Sequence, residues 1–158
     1  MTGTDFSADI EMFTETLSVG GLGTALDFLN TRTAYRFTSI YKAEAPSARR
    51  ILVHDRSLQH VPSRELVPLA HTFFDLMRTG PSFATADGLL DERSCQHPGR
   101  WHFRGFCGVQ IRHPDGRHYG WLAHLDPEPR PVPEGEVAFL AAVSGLLIPA
   151  LLAWPGSA

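Results

Sequence analysis

Apolar and polar positions along the chain change their period, and the changes mark out its elements. Between Asp5 and Asn30, Phe6, Ile10, Phe13 and Leu17 recur at three and four, and Leu22, Ala25, Leu26 and Leu29 do so again. That spacing belongs to an amphipathic helix. Gly20-Gly21-Leu22-Gly23 interrupts it, so two helical pieces are expected within 5–30. From Thr33 the period falls to two. Tyr35, Phe37, Ser39 and Tyr41 alternate with Arg36, Thr38 and Lys42, predicting a half-buried strand. Ala45-Pro46-Ser47 reads as a turn and Arg50-Ile51-Leu52-Val53-His54 as the returning strand. Pro62 to Arg78 predicts a helix: Leu66, Leu69, Ala70, Phe73, Phe74 and Met77 share one face, Ser63 starts it and Gly80-Pro81 ends it. Ser82 to Trp101 is a long mixed connection, with a short apolar Phe83-Ala84 and a helical turn near Leu89 to Arg93.

The clearest unit comes next. Phe106 to Arg112 is a strand, Pro114-Asp115-Gly116 a turn, and Tyr119 to Leu125 the returning strand. Asp126-Pro127-Glu128-Pro129-Arg130-Pro131 cannot continue a central strand and is a loop. A C-terminal helix is expected over 133–153. Hairpins joined through helices give an α+β fold, a twisted antiparallel sheet with helices stacked on it. The 158 residues suit one domain, with 33–126 forming the sheet and any pocket.

Composition narrows the class. With 43% hydrophobic and 20% charged residues, ten Phe and three Trp, the chain can build a core without disulfide or metal staples. A net charge of −3 argues against nucleic acid as a partner. Ala138 to Trp154 carries no charge, but it is shorter than the ~20 residues of a membrane span and holds Gly145 and Pro149. No basic-then-apolar leader is seen, so a cytoplasmic protein without a membrane partner is expected.

The run Gly108-Val109-Gln110-Ile111, Pro114-Asp115-Gly116-Arg117, Tyr119-Gly120-Trp121-Leu122, Asp126-Pro127-Glu128-Pro129-Arg130 and then an apolar helix resembles the C-terminal half of a GAF domain. It departs from that pattern at Gln110, where proline is common, and at Trp121, where a small residue is common. The motif covers Gly108 to Arg130, and the element order extends it over Leu17 to Leu152. The resemblance implies a GAF/PAS-like sheet with the terminal helices on one face. The middle helix and long connection would cover the other face, where the family usually holds its ligand. It implies no particular ligand, so the cofactor is unknown at this stage.

Candidate chemistry is sparse. His113 and His118 flank a hairpin turn, but no Cys or acid joins them at a metal-ligand spacing, so no metal site is assigned. A branch of the resembling family reduces free methionine-R-sulfoxide with loop cysteines; Cys95 lies in that region, but the further cysteines are missing. Bilin-binding relatives attach pigment through a Cys often followed directly by His, whereas here the order is Cys95-Gln96-His97. Cys107, inside a strand, reads as a buried core residue.

The aromatic load near the connection is the stronger signal. Phe74, Phe83, Trp101, Phe103 and Trp121, with Arg104, Gln110 and His124 as polar partners, form the expected ligand site. These features together predict a sensory or regulatory domain for signal transduction, without catalysis of its own. It would bind a small molecule and act through a homodimer or a separate effector protein. The alternatives are a methionine-sulfoxide reductase using Cys95, or an interaction module without ligand. The homodimer would form through the terminal helices, because the C-terminal helix is apolar around more than one face.

Overall fold

The computed structural model describes residues 5–57, 59–62 and 65–155. Helix α1 (Ser7–Thr31) leads into the hairpin β1 (Phe37–Glu44) and β2 (Ser47–Asp55). Strands β3 (Gln59–Pro62) and β4 (Leu66–Pro68) follow, then β5 (Ser82–Thr85), β6 (Gly105–Arg112) and β7 (His118–Asp126), and finally α2 (Glu136–Ser144) and α3 (Ile148–Leu152). All strands join one antiparallel sheet ordered β3-β2-β1-β7-β6-β5, with β4 also on β2. The expected α+β architecture is present.

The helices form one layer. α1 kinks at Gly21, whose φ of 78° lies where a side chain is disfavoured, so the glycine run divides it into two pieces. Phe13, Leu22, Leu26 and Leu29 of α1 pack with Phe139, Val143, Leu147 and Leu151 on Ile40, Leu52, Cys107, Val109, Ile111 and Leu122 of the sheet. The C-terminal helix is not the single run expected over 133–153. A 3-10 turn at Gly145–Leu147 separates α2 from α3, and Pro149 sits in the first turn of α3, where its missing N–H breaks no bond. Phe6, just before α1, meets Phe139 edge-on at 5.5 Å, so the start of α1 covers α2 within one chain. Among the described residues no helix is long and apolar enough to cross a membrane.

The middle helix expected over Pro62 to Arg78 does not form; Ser63, its expected start, lies outside the described residues. Leu66–Pro68 pairs instead with Ser47–Arg49, and 3-10 turns follow at Leu69–His71 and Phe73–Met77. Pro68 explains the failure, since inside an α-helix it would lack a donor and strike the preceding turn. Phe83-Ala84, expected within a connection, belongs to edge strand β5.

A buried polar chain stitches the helix layer to the sheet. Asn30 Nδ2 donates to Thr38 Oγ1 at 2.9 Å, and Thr38 Oγ1 lies 2.8 Å from His124 Nδ1. Nε2 of His124 lies 2.8 Å from Glu136 Oε2, and Arg32 Nε donates to Glu136 Oε1 at 3.0 Å. A carboxylate only accepts, so His124 carries its proton on Nε2 and Nδ1 accepts from the Thr38 hydroxyl. At the same end of the sheet, Asp126 accepts from the backbone N–H groups of Arg36 and Glu128 and from Arg130 Nε. That carboxylate folds the proline-rich loop back onto the start of β1.

Candidate functional site

The face of the sheet away from the helices is built by alternation. Phe37, Ser39 and Tyr41 of β1 stand opposite Leu125, Ala123 and Trp121 of β7, which in turn oppose Phe106, Gly108 and Gln110 of β6. Side chains two apart share a face, so these nine form one floor. Its middle row, Ser39, Ala123 and Gly108, is small. The Phe106 ring lies over Gly108, and a hollow remains against Tyr41, Phe106 and Leu125.

Two segments wall that hollow. Val67, Pro68, His71, Thr72, Phe73 and Phe74 form one side, and Gly99, His102 and Phe103 the other. With Tyr41, Arg50, Glu65, Phe106 and Leu125 they enclose a cavity of about 340 Å³, within the range of roughly 300–1,000 Å³ common for small-molecule sites. Its interior is aromatic and its rim polar. Arg50 Nε donates to the Tyr41 hydroxyl at 3.1 Å and Arg50 Nη1 to Glu65 at 2.8 Å, while the imidazoles of His71 and His102 are exposed.

The walls are clipped together. His97 Nε2 meets Asp75 Oδ2 at 2.9 Å, and its Nδ1 accepts from the Gly99 N–H at 2.9 Å. Both ring nitrogens are therefore committed, and His97 is not placed to serve as a base. Gly88 and Gly99 let the connection lie on the Phe73 ring, because a Cβ at either would come within 2.8 Å of it. Arg104 forms a bidentate pair with Asp87 at 2.6 and 3.0 Å, and this hydrogen bonding holds the Asp87 carboxyl below its usual range. Arg93 does the same for Asp91.

The expected site residues are distributed as follows. Phe74 and Phe103 line the cavity. Gln110 and Trp121 line a second, smaller cavity that also touches Phe74. Phe83 is buried among Phe73 and Phe106, at 5.7 and 5.9 Å between rings, beneath both walls. Trp101 is 70% exposed, with the Arg100 guanidinium 4.4 Å from its ring, so it does not line the hollow. Arg104 is occupied by Asp87. His124 faces the helix layer, on the opposite side of the sheet from the cavity. Tyr41, Arg50, His71, His102 and Leu125 were not anticipated; Tyr41 and Leu125 were reachable, since they lie an even number of residues from Ser39 and Trp121.

The cysteines are separated by the sheet. Cys107 belongs to the helix-side core, where burial, with Glu136 adding to it, pushes its thiol up to about 12. Cys95 lies in the connection packed on Phe73, its Sγ 3.9 Å from the Glu92 carbonyl oxygen. Among the described residues no group of three or more His, Cys, Asp or Glu is arranged to hold a metal ion.

No family model matches the sequence, and no curated protein matches it. Solved structures do match in shape. The GAF domain of an Acinetobacter phosphoenolpyruvate-protein phosphotransferase aligns with a TM-score of 0.70 at 14% identity, over 94% of this chain and 93% of that one. A free methionine-R-sulfoxide reductase from Neisseria meningitidis, solved with its substrate, aligns with a TM-score of 0.66 at 12% identity, over 100% and 97%. The chromophore-binding domain of a bacteriophytochrome from R. palustris aligns with a TM-score of 0.66 at 12% identity, over 92% of this chain but 61% of that one. The chain has the GAF fold.

Proposed function

We propose that this GAF-fold chain is a cytoplasmic sensory module that binds a small molecule in the aromatic cavity, has no catalysis of its own, and signals through a second copy or a partner protein. The observation that carries this reading is the cavity itself: an aromatic interior of about 340 Å³ with Arg50, His71 and His102 at its rim. An apolar body with one or two polar groups suits such a space. The division of labour supports it further, because the polar chain through His124 and Glu136 is spent on holding helices, which leaves the cavity side to ligand.

Native mass spectrometry of freshly purified protein, followed by thermal melts against a metabolite panel, tests the binding. A ligand at one hundred times its Kd should add about 2.7 kcal/mol, a rise of roughly 5–11 °C for a domain of this size. No co-purified mass and no shifted melt would remove the reading. The reductase alternative draws on the Neisseria likeness and on Cys95. Turnover of free methionine sulfoxide with a thiol reductant, lost in Cys95→Ser, would replace sensing by catalysis. Against it stands the placement of Cys107, which has the sheet between it and Cys95 and whose raised thiol pKa makes it a poor resolving partner.

The dimer is part of the proposal. Met12 and Val19 of α1, Leu146 of the 3-10 turn and Leu152 of α3 stay 41–83% exposed after α1 has covered α2. Apolar groups of that size left in water on the terminal helices support pairing of two copies there. Light scattering should give twice the mass of one chain, and Val19→Asp with Leu152→Asp should halve it while the chain keeps its folded circular dichroism spectrum. A single-chain mass for the unaltered protein would remove the dimer.

A further inference from the structure

The smaller cavity, about 260 Å³, lies beside the aromatic one, with Phe74 lining both. It is enclosed by Ala43, Ala45 and Ser47 around the β1–β2 turn, by Leu69, Met77 and Arg78, and by Gln110, Arg112, His118 and Trp121 at the ends of β6 and β7. A bulge at Ile111/Arg112 shifts the β6–β7 register and brings His118 to the same side as Trp121. Trp121 is 4% exposed, and its buried indole Nε1–H has no acceptor among the described residues. An unpaired buried donor costs about 1–3 kcal/mol. The ring cannot easily turn to seek one, because Phe74 stacks on it at 4.9 Å and His118 meets it edge-on at 4.9 Å.

The charged side chains that line this cavity, Arg78 and Arg112, have one sign. Arg112 gives Nε and Nη2 to the Gln110 side-chain oxygen at 3.0 and 2.7 Å and Nη1 to the Gly116 carbonyl at 2.7 Å. These acceptors are neutral, and among the described residues no carboxylate pairs with Arg112, whereas Asp87 pairs with Arg104 and Asp91 with Arg93. Arg78 adds a second guanidinium, shared with Asp75 at 2.8 Å. His118 donates Nε2–H to the Gly120 carbonyl at 2.9 Å, and burial holds its pKa below the ordinary value, so it adds no charge near neutrality. Among the described residues no Asp or Glu lines the space.

We propose that this cavity is a second binding site, separate from the aromatic one, that takes a small organic anion. Its carboxylate or phosphate head accepts from Trp121 Nε1–H and balances Arg112, and its short apolar body lies against Leu69, Met77 and Phe74. A cation would meet the Arg112 guanidinium, which no carboxylate among the described residues offsets, and a purely apolar occupant would leave the indole donor unpaired. Both fail on the same two residues that an anion satisfies.

The test follows the indole N–H signals of ¹⁵N-labelled protein during titration with benzoate and, separately, inorganic phosphate, with chloride at matched ionic strength. The Trp121 signal is identified by its loss in Trp121→Phe. It should move downfield and saturate in the millimolar range, where affinities of about 4 kcal/mol lie. Movement with benzoate assigns a carboxylate, and movement with phosphate assigns a phosphate. Arg112→Gln, an exposed position, should keep the melt and weaken binding about tenfold or more. Trp121→Phe, which keeps the stack on Phe74 and removes only the donor, should weaken it in calorimetry. A Trp121 signal unmoved by both anions, moved equally by chloride, or titrating with the same affinity in Arg112→Gln overturns the proposal.

Discussion

Glu136→Ala should cost the domain about 3–5 kcal/mol and lower its melting temperature by roughly 6–20 °C. Glu136 is 2% exposed and is the shared acceptor of two donors, His124 Nε2 and Arg32 Nε. Alanine leaves the buried His124 N–H without its acceptor, and leaves Arg32 with Asp9 alone at 2.9 Å on the outer side of α1. Breaking one partner of a buried pair is costly because the other stays behind. The carboxylate is also the first residue of α2, where the helix dipole favours negative charge. Glu136→Gln keeps the shape and one acceptor, so its loss should fall between alanine and the unaltered chain, and it provides the measurement if alanine does not fold. Urea melts of both decide the matter. A loss below about 1 kcal/mol for alanine would mean that burial of the pair merely breaks even.

Gly120→Ala should be at least as damaging, about 3 kcal/mol or more, for a reason unconnected with charge. Gly120 lies on β7 between Lys42 of β1 and Ile111 of β6. A Cβ there would fall on the Tyr41 carbonyl oxygen and within 2.8 Å of the Lys42 Cα. Both are main-chain atoms and cannot swing aside, so β1 and β7 would have to part next to the Tyr41–Trp121 pair. Gly21→Ala provides the contrast. Its positive φ disfavours a side chain, yet nothing lies within 4 Å, so the cost there should be about 1 kcal/mol. Equal melts for the two variants would show that the strands separate freely at Gly120.

The hairpins were legible because their signal is local. Alternation in Phe37–Tyr41 and Phe106–Arg112, with a turn dipeptide at each tip, gives pairing and facing together. The glycine run in α1 was legible for the same reason. The segment after β3 was not, because Phe73 and Met77 satisfy a helical spacing while Phe73–Met77 is in fact 3-10, where residues three apart eclipse. Pro68 was the contrary signal, and it was outweighed by the count of apolar positions. Strand β4 could not be read at all, since it exists through pairing with Ser47–Arg49, which no local pattern announces.

For the site, Trp121 and Gln110 followed from alternation. His124 failed by the same rule: it lies three residues after Trp121, an odd number, and so faces the helices. Arg104 and Trp101 sit in an irregular connection, where no period fixes direction. Composition alone had suggested them, and an Asp87 pair and exposure to solvent took them away.

Strand β7 is buried from Tyr119 to Asp126 and belongs to both halves of the molecule. Leu125 forms part of the aromatic cavity, while the next residue back, His124, is bonded to Thr38 and Glu136 under the helices. One trans peptide, about 3.8 Å between α-carbons, is all that separates them. Leu125 stands against the cavity on one side of that peptide unit, and His124 on the other is tied through Glu136 to the first turn of α2 and to Arg32 at the end of α1. The cavity floor and the anchor of the outer helices are thus adjacent residues of a single strand.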